Sequence, residues 1–396
     1  MLKVLHIGKF YPPVSGGMER VVQSLCTVAR GRLESRVLAF NDGPTTIEET
    51  VDGVRVTRVG CWGSAGSVPV APAFATHLRR ARADLMVLHE PNPWALLSYN
   101  LARPPLPLVI WFHSEVVRPH LQYRLFYRPV AQPVYARARQ FVVSSPALAE
   151  HASALHAYRD RITVIPFGVD ADSWRLRDAA DRDRVAQLRI AAGGRPIVFF
   201  AGRLVPYKGI DTLIRAVGRL PVHVTITGDG PMRAAWELLA REHASTARVE
   251  FTNEITDDEL RARMHACDVF VLPSVTPAEA FGFVQLEAMA CGKPVVSTRV
   301  RSGVPWVNRN GETGLLVEPG DVEALRLAIT KVTSDAQLRS RLGSAALARV
   351  RQEFSLTAMS DRFVAVCEQA ARAGHVTVAR DGALVRTAST SDEARV

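Results

Sequence analysis

Two carboxylates eight residues apart stand in the stretch Glu279-Ala280-Phe281-Gly282-Phe283-Val284-Gln285-Leu286-Glu287-Ala288-Met289-Ala290-Cys291-Gly292-Lys293-Pro294. An ionised carboxylate is a pure acceptor, so a pair of them suits a ligand rich in hydroxyl groups. Gly282 divides the stretch, which places Glu279 on a loop and Glu287 in the first turns of the helix that follows. Backbone N–H groups at Phe281 and Gly282 could then face a phosphate at that helix start. The plainer alternative is a surface loop followed by an incidental helix Glu, and the apolar neighbours of Glu287 weigh against it.

Cations and small residues recur at other turns. Gly202-Arg203-Leu204-Val205-Pro206-Tyr207-Lys208-Gly209 directly follows an apolar run. Arg203 and Lys208 there either hold a diphosphate and stabilise it as a leaving group or are two solvated surface charges. The position beyond the carboxyl end of a strand favours the first reading. Gly16-Gly17-Met18-Glu19 opens a helix after the first apolar run. It is either a phosphate-binding helix start or an ordinary strand–helix turn. His113 ends the apolar run Leu108–Phe112 and either points into a cleft or is a core histidine bonded to backbone. Gly228-Asp229-Gly230-Pro231 reads mainly as turn chemistry.

Other chemistries lack their residues. The chain has no G-x-x-x-x-G-K-[ST] loop and no complete G-x-G-x-x-G, so ATPase and dehydrogenase readings have little support. Its Asp-x-Asp matches, Asp170-Ala171-Asp172 and Asp181-Arg182-Asp183, fall in or near a polar stretch between domains. No His/Cys cluster has zinc spacing, so neither a metal nor a cofactor is expected. Five Cys with no C-x-x-C pair fit a reducing compartment. Met1–Phe10 lacks the apolar core and cleavage site of a secretory leader, and no apolar run approaches the roughly 18 residues of a membrane span. A cytoplasmic location is expected.

The elements that must position these residues follow from apolar periodicity. The 396 residues are 47% hydrophobic and 22% charged, which fits a globular chain too long for one ordinary core. Candidate strands Lys3–Gly8, Arg36–Phe40, Val54–Val59, Asp84–His89, Leu108–His113, Phe141–Ser145 and Ile162–Pro166 alternate with helix-length segments. The pattern restarts with Ile197–Ala201, His223–Thr227, Val249–Thr252, Val269–Leu272 and Pro294–Ser297. This alternation predicts an α/β fold of two Rossmann-like, doubly wound parallel sheets with a ligand cleft between them. The expected division is an N-terminal domain over 1–175, a linker over 176–195, and a ligand-binding C-terminal domain over 196–353. A helix over 354–372 would cross back to the first domain, and 373–396 would be a flexible tail.

Charge adds a partner expectation. The net charge is +10, and residues 1–180 hold 21 Lys and Arg against 14 Asp and Glu. A basic N-terminal half suits an anionic partner. Between Arg118 and Arg139 lie five Arg and no acid, interleaved with Tyr123, Phe126, Tyr127 and Tyr135. Arg118, Arg124 and Arg128 would face an anionic membrane or a lipid-linked acceptor. The alternative is a solvated domain helix with core aromatics, and Pro129 and Pro133 are expected to break any single long helix.

Taken together, the Glu279–Pro294 stretch, the Gly-Arg-Leu-x-x-x-Lys-Gly loop, Pro166-Phe167-Gly168-Val169-Asp170 and Gly311-Glu312-Thr313-Gly314-Leu315-Leu316-Val317 resemble the retaining glycosyltransferases of family 4. The resemblance spans nearly the whole chain. It implies the GT-B fold, a nucleotide-sugar donor held mainly by the C-terminal domain, and no catalytic metal. Arg203 and Lys208 would hold the donor diphosphate and Glu287 the ribose hydroxyls. Glu279 would contact the sugar near its 3- and 4-hydroxyls, with the Phe281 and Gly282 backbone close by. Gly16 and Gly17 would offer backbone to the phosphates, and His113 would lie beside the sugar. Glu279 would not necessarily be a covalent nucleophile, because retention in such enzymes is usually explained by front-face departure. Two positions depart from the family pattern. Trp306 replaces an acid in Ser302-Gly303-Val304-Pro305-Trp306-Val307-Asn308, and Asn253 replaces a Gly. The Trp306 variant resembles bacterial mannosyl- and rhamnosyltransferases of surface-polysaccharide assembly, which implies a GDP-sugar donor, with a UDP-sugar as the other option.

The function expected is sugar transfer to a glycan or lipid-linked acceptor in surface-polysaccharide or glycolipid synthesis, at the inner membrane face, with no nucleic acid partner. Two further readings stand beside it. One is a sugar-nucleotide epimerase or hydrolase of the same fold. The other is a non-enzymatic basic protein that binds membrane or nucleic acid, which would not need the Arg203, Lys208, Glu279 and Glu287 set.

Overall fold

The computed structural model describes residues 1–14, 16–66, 68–115 and 123–372. Two sheets carry it. The first has eight strands in the spatial order Ile162–Val164, Gln140–Val143, Leu108–Phe112, Leu85–Glu90, Leu2–Ile7, Leu33–Phe40, Val54–Val59, Ile47–Val51. All pairs are parallel except the last, Ile47–Val51 on Val54–Val59. The second has six parallel strands in the order Arg248–Thr252, His223–Thr227, Ile197–Ala201, Val269–Leu272, Val295–Thr298, Gly314–Val317. Central strands such as Leu108–Phe112 and Ile197–Ala201 are buried at every position, because helices cover both faces. The chain therefore has the α/β architecture of two doubly wound domains.

The expected linker differs in structure from a polar loop. Asp178 caps a helix over Ala179–Ala191 by accepting from the Asp181 N–H at 2.9 Å. That helix is fastened to the second domain by Arg189–Asp268 at 2.9 Å and Arg184–Glu259 at 3.6 Å, and Arg177 beside it pairs with Asp258 at 2.8 Å. Its apolar contact is small, with Val185 and Leu188 packed on the second domain's core, and the cap and the ion pairs add to it. The described residues close on three successive helices, Val322–Ser334, Ala336–Glu353 and Leu356–Arg372. Asp321 and Asp335 cap the first two, each cap being worth about 1 kcal/mol.

Leu356–Arg372 lies on the first domain, where Phe363 sits 5.5 Å from the Trp111 ring and 5.6 Å from that of His6. The outward and return crossings between domains run side by side. The Val169 N–H donates to the Phe354 carbonyl at 2.9 Å, and a Cβ on Gly168 would stand 2.6 Å from the Ser355 carbonyl oxygen. Gly168 is small because two backbones meet there. An aromatic chain continues across this junction: Trp111 to Phe167 at 6.4 Å, Phe167 to Phe281 at 4.8 Å, and Phe281 to Phe354 at 6.2 Å. The tail expected over 373–396 lies outside the described residues.

Candidate active site

The second domain's share of the site lies at the carboxyl ends of its strands. Beyond Ile197–Ala201 the backbone turns through Gly202, whose N–H donates to the Thr227 carbonyl at 3.0 Å, while the Leu204 N–H donates to that of Asp229 at 2.8 Å. These contacts press the 202–204 loop against the 228–230 loop, where a Cβ on Gly228 would run into the Gly202 carbonyl oxygen. Lys208 then ends a short 3-10 turn. Its Nζ donates to Glu279 Oε2 at 2.6 Å, and Ser274 Oγ donates to the same oxygen at 2.9 Å. Both Lys208 and Glu279 are buried. Burial alone would lower the Lys208 pKa, but Glu279 and Tyr207 outweigh it and hold the ammonium above the ordinary lysine range. Arg203, in the same loop, is exposed and has no carboxylate partner among the described residues.

Gly282 caps the helix Phe283–Ala290 with φ 71°. A Cβ there would stand 2.6 Å from Leu272 Cδ2, so glycine is required on both conformational and steric grounds. The helix carries Glu287 inward, with only 3% of its surface exposed. Burial pushes its carboxyl up to about 7, partly offset by Arg20. Arg20 comes from the first domain, on the helix Gly17–Val28. Its guanidinium donates to Glu287 Oε1 at 2.7 Å and to Asp257 Oδ1 at 3.2 Å. Sequence reasoning missed Arg20, because nothing local to it marks a partner 267 positions away.

On the first domain, Gly16 precedes that helix, and a Cβ on it would run into the Glu19 carboxylate. Glu19 is itself buried over the helix start, which raises its pKa, while its own and the Phe10 N–H lower it again. A carboxylate thus already stands at the Gly16–Gly17 turn, whereas a Cβ on Gly17 would meet only open space. His113 follows its strand and stacks on Phe167 at 5.7 Å, and Phe281 packs edge-on against the same Phe167 ring at 4.8 Å. The His113 ring pairs with a side chain, His89, at 3.0 Å, while the His113 backbone N–H donates to the Glu90 carbonyl at 3.0 Å. Phe167 therefore joins His113 of one domain to the Phe281–Gly282 turn of the other. Trp306, at the position that departs from the family pattern, packs edge-on against Phe354 at 5.3 Å and beside Phe281 at 6.3 Å. That aromatic cluster gives the substitution a packing role.

The basic aromatic segment divides. Arg118 lies outside the described residues, and so does the Arg124 side chain. Tyr127 and Tyr135 are buried in the first domain's core, whereas Leu125, Phe126 and Arg128 are exposed, Phe126 by 73%. Pro133 sits inside the helix Arg128–Arg137 without ending it, and Pro129 takes its first turn, where no N–H partner is needed. Glu90, at the end of strand Leu85–Glu90, is fully buried and accepts from the Tyr127 hydroxyl and the Asn92 N–H. Among the described residues no group of His, Cys, Asp and Glu could hold a metal ion, and no helix is long and apolar enough to cross a membrane. Asp181, from one Asp-x-Asp match, pairs with Arg177 and Arg261.

Comparison with known proteins follows the same division. The family profile "Glycosyl transferases group 1" matches residues 182–349, and "Glycosyltransferase Family 4" matches residues 15–173. The O-antigen chain mannosyltransferase C of Escherichia coli is 27% identical over 92% of this chain and 97% of its own length. The D-rhamnosyltransferase WbpZ of Pseudomonas aeruginosa is 30% identical over 89% of this chain and 92% of its own length. Among solved structures, Anabaena HepE in complex with UDP and glucose shares the fold with a TM-score of 0.77, at 23% identity over 93% of this chain and 100% of that one.

Proposed function

The chain belongs to glycosyltransferase family 4, and from that premise we propose that it is a retaining, metal-independent hexosyltransferase that uses a nucleoside diphosphate sugar and no resident cofactor. Lys208 and Arg203 bind the donor diphosphate and stabilise the charge that develops as it leaves. Glu287 accepts from the ribose hydroxyls. Glu279, with the Phe281 and Gly282 backbone, faces the sugar, and His113 approaches it from the other domain. The Gly17 backbone contributes at the phosphates.

The observation that carries this reading is the buried Lys208–Glu279 pair at 2.6 Å, beside the exposed Arg203, at the carboxyl end of a parallel strand. A charge pair kept out of water at a sheet's ligand-binding edge is costly for stability alone, and a phosphate-bearing sugar supplies a reason to keep it. The relatives' mannosyl and rhamnosyl specificities favour a GDP-sugar donor over a UDP-sugar. The acceptor is a glycan or lipid-linked glycan. The exposure of Leu125, Phe126 and Arg128 supports contact with an anionic membrane, and with it a working location at the inner face of the cell membrane.

The test is nucleoside diphosphate release from GDP-mannose, GDP-rhamnose and UDP-glucose, with and without lipid-linked glycan acceptors and with excess EDTA. EDTA-insensitive, acceptor-dependent release that yields an axial product from an axial donor supports the reading. Release that proceeds equally without acceptor points to an epimerase or hydrolase.

A further inference from the structure

Three histidines lie in line across three neighbouring parallel strands of the first sheet. His6 is on Leu2–Ile7, His89 on Leu85–Glu90, and His113 directly follows Leu108–Phe112. Nδ1 of His6 is 3.1 Å from Nε2 of His89, and Nδ1 of His89 is 3.0 Å from Nε2 of His113. Their relative exposures are 0%, 1% and 6%. Burial holds all three well below the usual histidine range, with His6 and His113 pushed down to about 3. Each ring is therefore neutral at working pH, with one N–H and one lone pair.

Neutral rings joined nitrogen to nitrogen have only two consistent arrangements. In one, the hydrogen bonds run from His6 to His89 to His113, and the proton of His113 is left on Nδ1. In the other they run the opposite way, Nδ1 of His113 is a bare lone pair, and Nε2 of His6 carries a proton. Nε2 of His6 is buried without a partner among the described residues, on a ring whose centre is 5.6 Å from that of Phe363. A buried N–H with no acceptor is worse tolerated than an unused acceptor, so the first arrangement is favoured. Nδ1 is also the nitrogen of His113 that His89 does not use, at the strand end where the two domains meet.

We propose that His89 is a positioning residue that fixes His113 in one ring orientation and one tautomer, as an Nδ1–H donor toward a hydroxyl of the bound sugar. The direction of donation is set at His6, 83 residues from His89 in sequence, at the buried end of the line beside Phe363. The choice of hydroxyl as acceptor rests on the reading of the cleft as the donor-sugar site. The tautomer does not.

The experiment is a long-range nitrogen–proton spectrum of the histidine side chains in the full-length, nitrogen-labelled protein, with His113 assigned by the His113→Phe variant. The expected result is a protonated Nδ1 and a bare Nε2 on His113. His89→Phe keeps a ring in the strand but removes both nitrogens. It is expected to give His113 a mixture of tautomers and to lower kcat about tenfold, the size of one lost hydrogen bond. In a His113→Phe background the same change should cost nothing further. An Nε2–H on His113 in the unmodified protein overturns the proposal, whether or not His89→Phe folds. So does a His89→Phe protein whose His113 tautomer and kcat are unchanged. If no sugar is transferred by any variant, the cleft reading fails while the spectrum still decides the tautomer.

Discussion

Arg20 of the first domain stands 2.7 Å from Glu287 of the second, so the carboxylate assigned to the ribose is already held by a cation from across the cleft. Arg20 is 39% exposed at its side chain and Glu287 only 3%. Water therefore screens the cation far more than the acid, and burial, not attraction, dominates the state of Glu287. On the proposed reading a ribose hydroxyl would compete with Arg20 for this carboxylate, so the pair would couple donor binding to the relation of the two domains.

Glu287 should make stability depend on pH. Its carboxyl ionises near 7 in the folded chain, against the ordinary 4.5. A raised folded pKa gives a contribution that is complete below about 4.5 and is lost as pH rises through about 7. Urea midpoints measured from pH 4.5 to 8 should therefore fall less steeply for Glu287→Gln than for the unmodified chain. Glu90, also pushed up to about 7 by burial, should leave a residual slope in both. An unchanged slope would contradict the raised ionisation.

Removal of Arg20 should move the same titration upward. Arg20 is the cation that lowers the Glu287 pKa against burial. The midpoint at which Glu287 ionises, followed by carboxyl-carbon NMR, should rise in Arg20→Ala. A midpoint that stays or falls would show that the pair at 2.7 Å does not form in solution.

Lys208 should matter to both stability and turnover. Lys208→Ala leaves Glu279 buried with Ser274 as the one remaining donor on Oε2 among the described residues. Breaking one side of a buried pair costs about 3–5 kcal/mol, and loss of a charge-stabilising donor lowers kcat about 100- to 1,000-fold. Lys208→Ala combined with Glu279→Gln should recover stability without recovering turnover. Recovery of both would remove Lys208 from the chemistry.

Gly282→Ala should destabilise through backbone and contact together. The residue has φ 71°, and the new Cβ would lie 2.6 Å from Leu272 Cδ2. The left-handed conformation alone costs about 1–2 kcal/mol. Thermal unfolding should register at least that, with Gly17→Ala, whose Cβ meets open space, as the milder control.

These relationships were unequally legible in the sequence. Leu108–Phe112 and Ile197–Ala201 could be placed because a strand buried on both faces is apolar at every position. Ile47–Val51 could not, because it is an exposed, antiparallel edge strand containing Glu48 and Glu49. The helix Ala179–Ala191 reads as a polar linker because its core contact, Val185 and Leu188, is small and is set among charged residues that pair with Asp268 and Glu259. Glu279, Glu287, Arg203 and Lys208 were visible as local patterns of charge around glycine. Arg20 was not, since it sits on an ordinary helix face and its meaning comes from packing between domains. The same holds for His6 and His89, each a single histidine in a mainly apolar strand until three strands are laid side by side.

The donor site is tested most directly by calorimetric titration of GDP, UDP and ADP into the unmodified protein, Arg203→Ala and Glu287→Ala. One nucleoside diphosphate should bind in the presence of EDTA, Arg203→Ala should weaken it through the phosphates, and Glu287→Ala should weaken it while leaving inorganic diphosphate binding unchanged. A folded protein that binds none of the three, or binds one equally well in both variants, would contradict the assignment of the cleft to a nucleotide-sugar.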